Sequence, residues 1–530
     1  MLVEVEKNWG EEKMPKPISF GEIGFNLVSS MEETPDGREQ AGVFRIAVLG
    51  DFSGRGSRGL MRTGRELATL QPVFVDRDCC DAVMAQLGVE IRLDVLGDKA
   101  PPVRISFAAL DDFHPDRLFR DLEVFQAMRE SRKILLDPAS FAARDREPAA
   151  AVPSPQAGSV TSAEVTKAAL SDLGGANLLD QILEQDDGRA ASAASGQSSS
   201  EWDFFLRRLV SPYLVSAAHP EQEEMIGSMD AATEELMRRI LHHPDFQAME
   251  AAWQGLWFLI SRLETDAALK VYLLDISRQE LAADLMAGDD LQVSGLYRLL
   301  VEQGVQTFGG APWSLLTGLY DFGVAGEDPG ILGRMANLAR VAGAPFVAAA
   351  NDTLLGCRSL AATPDPDDWQ PLSGGEQAAW AALRSLLAAS SLGLGLPRFL
   401  LRLPYGEKTD PIDSFAFEEM AEPPQHGHYL WGNPALAVAL VLGASFSRNG
   451  WRLFDQPVFS IDGLPLHVFR HEGEATALPC AEVLLTERAV DAILDRGLMP
   501  LLSFRNQDTI RLARFQSVAD PLTRLSGPWQ

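Results

Sequence analysis

Cysteine is scarce: Cys79, Cys80, Cys357 and Cys480 are the only four in 530 residues, and no pair has the spacing of a zinc site. Adjacent Cys79 and Cys80 are poorly placed to bridge each other, which points to free thiols in a reducing compartment. No apolar run reaches the ~18 residues that would suggest a membrane span. Even WGNPALAVALVLGASF is interrupted at Asn433 and Pro434. The amino terminus, MLVEVEKNWGEEKMPK, lacks the apolar core of a signal peptide. Positive charge is also short: 46 Lys and Arg stand against 74 Asp and Glu, a net charge of -28. Phosphate recognition needs clustered cations, so this balance argues against nucleic acid or an anionic membrane as the main partner, and with no long apolar run no direct membrane insertion is expected. A soluble cytoplasmic protein is expected.

Catalytic constellations are missing too. The eight histidines (114, 219, 242, 243, 426, 428, 467 and 471) include no H-E-x-x-H pair, and there is no G-x-S-x-G elbow. Gly309-Gly310 has no Gly-Lys-Ser/Thr nearby, so it is not a phosphate loop. His426 and His428 would need Glu418 or Glu419 to complete a metal site, and those carboxylates, beside Phe415 and Phe417, read better as capping or ion-pairing groups. One nucleotide-like motif survives. Gly54, Gly56 and Gly59 spell G-x-G-x-x-G after an apolar strand, and Asp76 ends another strand about 20 residues on, where a dinucleotide fold places its ribose ligand. Its other reading is a surface loop: Asp51 to Ser53 intervene, Arg55 and Arg58 look solvated, and Gly64 and Pro72 shorten the helix that should follow. No enzyme, cofactor or metal is expected.

What the sequence does hold is α/β patterning, with mixed sheets flanked by helices, over a length sufficient for several domains. Residues 43–50, 72–76, 89–95 and 103–107 read as strands. Cys79 to Leu87 and Asp116 to Leu136 read as helices. Before them, 18–30 (ISFGEIGFNLVSS) is an isolated strand within an arm spanning 1–42. Such a strand needs a sheet to join, its own or a neighbour's. Residues 43–146 then form an α/β unit, and 147–200 is an Ala/Ser/Gly/Pro-rich linker. Within the linker, Leu178, Leu179, Ile182 and Leu183 share one face of a short helix, either a docking segment or a satellite of the core.

The larger region, 201–530, is organised around LHHPDFQAMEAAWQGLWFLISR, Leu241 to Arg262. Pro244 suits a first helical position, and Phe246, Met249, Trp253, Leu256, Trp257 and Ile260 follow at helical spacing. A stripe this bulky is core scaffold. Downstream, LKVYLLDIS, the apolar stretch after Gly310 and FVAAA read as strands, with helices at 294–303, 331–341 and 378–389. Arg398 and Arg402 lie in an apolar stretch with Tyr405, and buried guanidinium groups need carboxylates, here by an internal ion pair in preference to a contact with another subunit.

Several ordered motifs carry a resemblance. HHPDFQAMEAAWQGLWFLISRLE, GLGLPRFLLRLPYG, YLWGNPALAVAL, GLPLHVF and LLTERAVDAILDRGLMPLLSFRNQDTIRLARFQS resemble the large subunit of the type VI secretion contractile sheath, over about residues 220–517. FRIAVLGDFSG, FVDRDCCDAVMAQLGVEIRL and ISFAALDDFHPDRLFRDLEVFQAMRESRKIL resemble the small subunit, over 17–142. The resemblance implies a structural protomer, a fusion of the two subunits. It implies assembly with copies of itself around an inner-tube protein, contraction triggered at a baseplate, and recycling by an AAA+ disassembly ATPase. Residues 18–28 would then be a strand given to a neighbour, with Phe20, Ile23, Phe25 and Leu27 as anchors, and Leu178, Leu179, Ile182 and Leu183 would be the ATPase-recognition helix. In the resembling family the large subunit continues past the match to Ser517 into helices and strands that receive a neighbour's strand. This sequence ends DPLTRLSGPWQ, so a non-polymerising accessory or cap of the same system is the alternative.

Overall fold

Apart from Arg45, the strand FRIAVLG is apolar on both faces, as a strand covered by helices on each side tends to be. In the computed structural model, which describes residues 42–97, 101–136, 222–306, 310–471 and 473–529, this strand lies inside a nine-stranded sheet. We label it β1 (Phe44–Gly50). The other strands of the sheet are β2 (Val73–Val75), β5 (Leu269–Asp275), β6 (Leu315–Phe322), β7 (Phe346–Ala350), β8 (Leu392–Leu396), β11 (Ser460–Ile461), β14 (Met499–Ser503) and β15 (Ile510–Leu512). Their spatial order is β11-β15-β14-β8-β7-β6-β1-β5-β2. From β5 across to β14 the pairing is parallel. Antiparallel β2 closes one end, and β15 with β11 closes the other.

Residues 43–146 are expected to form a unit of their own, but two of their strands, β1 and β2, belong to the same sheet as strands of the downstream region. β1 runs parallel to β5 from Phe44 beside Leu269 to Gly50 beside Asp275, and its other edge pairs with β6. Strands β3 (Val89–Leu93) and β4 (Val103–Phe107) form a separate antiparallel hairpin. The short pairs β9 (Phe399–Leu400) with β10 (Trp431–Gly432), and β12 (Val468–His471) with β13 (Glu474–Ala477), complete the strands among the described residues.

Alternate residues of β1 enter two cores. Phe44, Ile46 and Val48 pack with the central helix, while Ala47 and Leu49 face the opposite side. After α1 (Arg65–Ala68), α2 (Cys80–Leu87), α3 (Pro115–Asp121), α4 (Gln126–Leu136) and α5 (Gln222–Leu241) comes the central helix α6, Pro244–Arg262. Helices α7 (Arg278–Met286), α8 (Asp328–Ala342), α9 (Gly374–Arg384) and α11 (Glu487–Asp495) cover the Ala47 face. Helix α10 (Pro434–Asn449) lies with α6 on the other. Phe246, Trp253 and Leu256 are wholly buried, and Trp257 is partly so. Gly255 permits the close approach of α6 to α10: a Cβ there would sit 2.5 Å from the Leu436 side chain.

The helix expected over Asp116 to Leu136 is two helices. Leu122 is extended (φ -77°, ψ 132°), and the Arg129 guanidinium donates to the carbonyls of Phe119 and Leu122, ending the first helix as a carboxy-terminal cation does. Among the described residues no helix is long and apolar enough to cross a membrane. Phe20, Ile23, Phe25, Leu27, Leu178, Leu179, Ile182 and Leu183 lie outside the described residues.

Candidate assembly site at the seam of the chain

β1 ends at Gly50, and the loop that follows is fastened to the downstream half by buried charge. Arg55, read from its glycine- and serine-rich surroundings as solvated, is only 5% exposed. Its guanidinium pairs with Asp275, at the end of β5, and with Glu280, 2.9 Å away in the first turn of α7. Glu280 has a second task, reciprocally capping α7 with Ser277, which places its carboxylate at the helix start. The Asp275 carboxylate also accepts the backbone amides of Phe52 and Ser53 at 2.9 and 3.0 Å. Burial works to lower the Arg55 pKa, but the two carboxylates outweigh it and raise it above the ordinary value. Burial alone would raise Glu280, whereas Arg55 and the Ser277 amide hold it below its usual range. Further along, the amides of Arg62 and Gly64 donate to Glu280 and Asp284 on α7 at 2.7 and 2.6 Å.

Helix α6 closes the same seam from the other face. The Trp253 indole donates to the Phe52 carbonyl, satisfying a buried acceptor that the strand end leaves open. On α3, capped by the His114 ring, Asp116 accepts the amides of Asp413 and Ser414 at 3.1 and 2.9 Å. Arg132 on α4 reaches Asp230 on α5 at 2.8 Å.

A second buried network braces the downstream region. Arg402 pairs with Glu250 of α6 at 2.6 Å and with Glu419 at 2.7 Å, and its guanidinium lies over the Tyr405 ring. Burial opposes the charge on Arg402, yet the two carboxylates raise its pKa well above the ordinary value. Glu419, despite burial, is held down to about 2 by Arg402 and His242. Glu250 moves the other way because burial dominates there. Arg398 pairs with Glu482, so both arginines find internal partners.

The glycine motif has its amides engaged. Asp51 accepts the amides of Arg55 and Gly56 at 2.9 and 2.7 Å, so carboxylates already stand where a phosphate cradle would need free N–H groups. A Cβ at Gly54 would lie 2.2 Å from the Glu90 carbonyl, which explains that glycine by close backbone approach. Gly59 takes a positive φ of 66°. Asp76 folds back on the amides of Asp78 and Cys79 in its own turn. His426 stacks on Trp431 and His428 on His242. Among the described residues no cluster of three or more His, Cys, Asp or Glu is arranged to hold a metal.

Two comparisons bear on this seam. Residues 223–519 match the family described as EvpB/VC_A0108, tail sheath N-terminal domain (VipB). The chain belongs to this tail sheath family. Residues 32–147 match a second family, described as type VI secretion system, VipA, VC_A0107 or Hcp2. A curated relative, the type VI secretion system sheath protein TssC1 of Pseudomonas aeruginosa, is 36% identical over 306 residues, which cover 56% of this chain and 61% of that protein. The chain thus spans about three-fifths of the relative's length. Strand β1 falls within the VipA-like match, and its partners β5 and β6 fall within the tail sheath match. The buried pairs of Arg55 join the same two segments. Sequence reasoning missed Arg55; the usable signal was Asp275 ending an apolar strand just before Ser277-x-x-Glu280, two acids placed where burial demands a cation.

Proposed function

We propose that the chain is a structural protomer of a type VI secretion contractile sheath, with the parts resembling its small and large subunits joined in one polypeptide. The observation that supports this most strongly is β1, from the VipA-like segment, hydrogen-bonded between two strands of the tail sheath segment. Joining the two parts makes their pairing intramolecular and fixes its stoichiometry at one to one. Copies would stack around an inner-tube protein, store energy in interfaces with two packings, and contract from a baseplate to drive the tube outward. Residues 18–28 would reach a neighbour's sheet through Phe20, Ile23, Phe25 and Leu27. Leu178, Leu179, Ile182 and Leu183 would present the contracted sheath to the AAA+ disassembly ATPase.

Negative-stain microscopy and sedimentation of the purified chain test this. Tubes or stacked rings that disappear when residues 1–30 are removed are expected. Monodisperse particles at every concentration would contradict a self-assembling sheath and favour the accessory reading.

A further inference from the structure

The loop between β1 and α1 carries a surface that the seam does not use. Leu60 and Met61 are 49% and 52% exposed, whereas most large apolar side chains among the described residues are buried. Arg62 and Arg65 flank them, exposed and without an ion-pair partner among the described residues. The backbone beneath is fixed: Arg62 and Gly64 are tied to Glu280 and Asp284, and the Leu60 amide donates to the Arg55 carbonyl at 3.0 Å. Arg58 is committed to the Ser53 and Gly54 carbonyls. The result is a rigid knob with an apolar tip and cationic flanks, on a chain whose net charge is -28.

A complementary hollow lies at the carboxyl ends of β6, β7 and β8. A crevice of about 500 Å3 is lined by Ala248, Ala251 and Ala252 of α6 and by Ala349 and Ala350 of β7. It adjoins a recess of about 290 Å3 that shares Ala248, Ala252 and Asp321. Within the pair, Arg398 is matched by Glu482 and Arg278 by Asp328. Asp51, Asp245, Asp321 and Asp352 then stand against the single cation Arg358, an acidic rim around an alanine floor, in which Asp51 and Asp352 also accept backbone amides and Asp321 accepts the Asn351 side-chain amide. The loop that carries the knob borders the recess through Gly54, Gly56 and Ser57, and α7 holds its backbone in place.

We infer that the Leu60–Met61 knob of one copy seats in the alanine-floored crevice of a second copy of this chain, with Arg62 against Asp321. A knob and a hollow built from different residues make a heterologous contact, which can propagate into rings or helical filaments. The flexible thioether of Met61 suits an irregular pocket, and the cations set orientation and salt sensitivity.

The inference rests on the self-assembly proposed above, and a charge exchange separates the two. Arg62→Asp and Asp321→Arg alter exposed side chains, so circular dichroism and melting should match the unaltered chain. Each alone places like charges together and should raise the concentration needed for assembly by about tenfold or more. Mixing the two variants, or combining both changes in one chain, should restore assembly, because every contact again pairs opposite signs. Met61→Ser should weaken it without changing its salt dependence. An unaltered chain that assembles while Arg62→Asp assembles equally well, or variants that the mixture fails to rescue, would overturn the knob and leave the sheath reading standing. An unaltered chain that never assembles would overturn both.

Discussion

The Trp253 indole N–H lies 2.9 Å from the carbonyl oxygen of Phe52, and the two rings meet edge-on with centroids 5.3 Å apart. One residue belongs to the central helix and the other follows the first strand, so this contact ties the VipA-like segment to the tail sheath segment through two fully buried side chains. Trp253→Phe would keep most of the packing but leave the carbonyl unpaired, a loss of about 1–3 kcal/mol. Trp253→Ala would add a large cavity, for about 3–5 kcal/mol in all. Urea unfolding of both variants would measure the difference, and a Trp253→Phe variant as stable as the unaltered chain would mean that the hydrogen bond contributes nothing.

Removing Arg55 strands Asp275 and Glu280 without their cation. Arg55→Met should cost about 3–5 kcal/mol, as expected for breaking a buried pair from one side. Adding Glu280→Gln should cost less than the sum of the two single changes, because one buried charge then no longer needs compensation. A strictly additive double-mutant cycle would show that these groups are not coupled.

Protonation should weaken the fold from the histidine side. Burial, with smaller contributions from neighbouring charges, lowers the pKa of His426, His428 and His467 below the ordinary 6.5. Each therefore binds fewer protons folded than unfolded. Its stabilising contribution is complete above pH 6.5 and declines as pH falls through that value towards the folded pKa. Glu419, held down to about 2, adds a further loss as pH falls below 4.5, whereas Glu250, raised by burial, pulls the other way. Denaturant midpoints between about pH 8 and about pH 5 should fall with acid. The slope should flatten when all three histidines are replaced by Gln; an unchanged slope would assign it to other groups.

The sequence made some of this architecture readable and hid the rest for a physical reason. FRIAVLG, LKVYLLD and FVAAA are legible as strands because a strand buried on both faces is mostly apolar, with Arg45, Lys270 and Asp275 the exceptions. The stripe from Phe246 to Trp257 is legible as core because aromatic side chains at helical spacing have to be covered. Pairing is another matter. Nothing local to Phe44 states that its neighbour is Leu269, and parallel register is settled by crossovers and layer packing, not by the strand itself. The same distance hid Arg55. Among Gly and Ser it looks solvated, and only Asp275 and Glu280, more than 200 residues away in the chain, bury it. Arg398 and Arg402 were legible because they stand in apolar surroundings, where an unpaired guanidinium is too costly to leave.

Strand β1 joins the VipA-like and tail sheath segments in one sheet. The most direct test expresses residues 1–146 and 201–530 as two polypeptides, mixes them, and follows their mass and the hydrogen exchange of the β5 and β6 amides. A one-to-one complex is expected, in which Leu269–Asp275 and Leu315–Phe322 become protected only when the first polypeptide is present. A second polypeptide that folds alone with those strands already protected, and ignores the first, would contradict it.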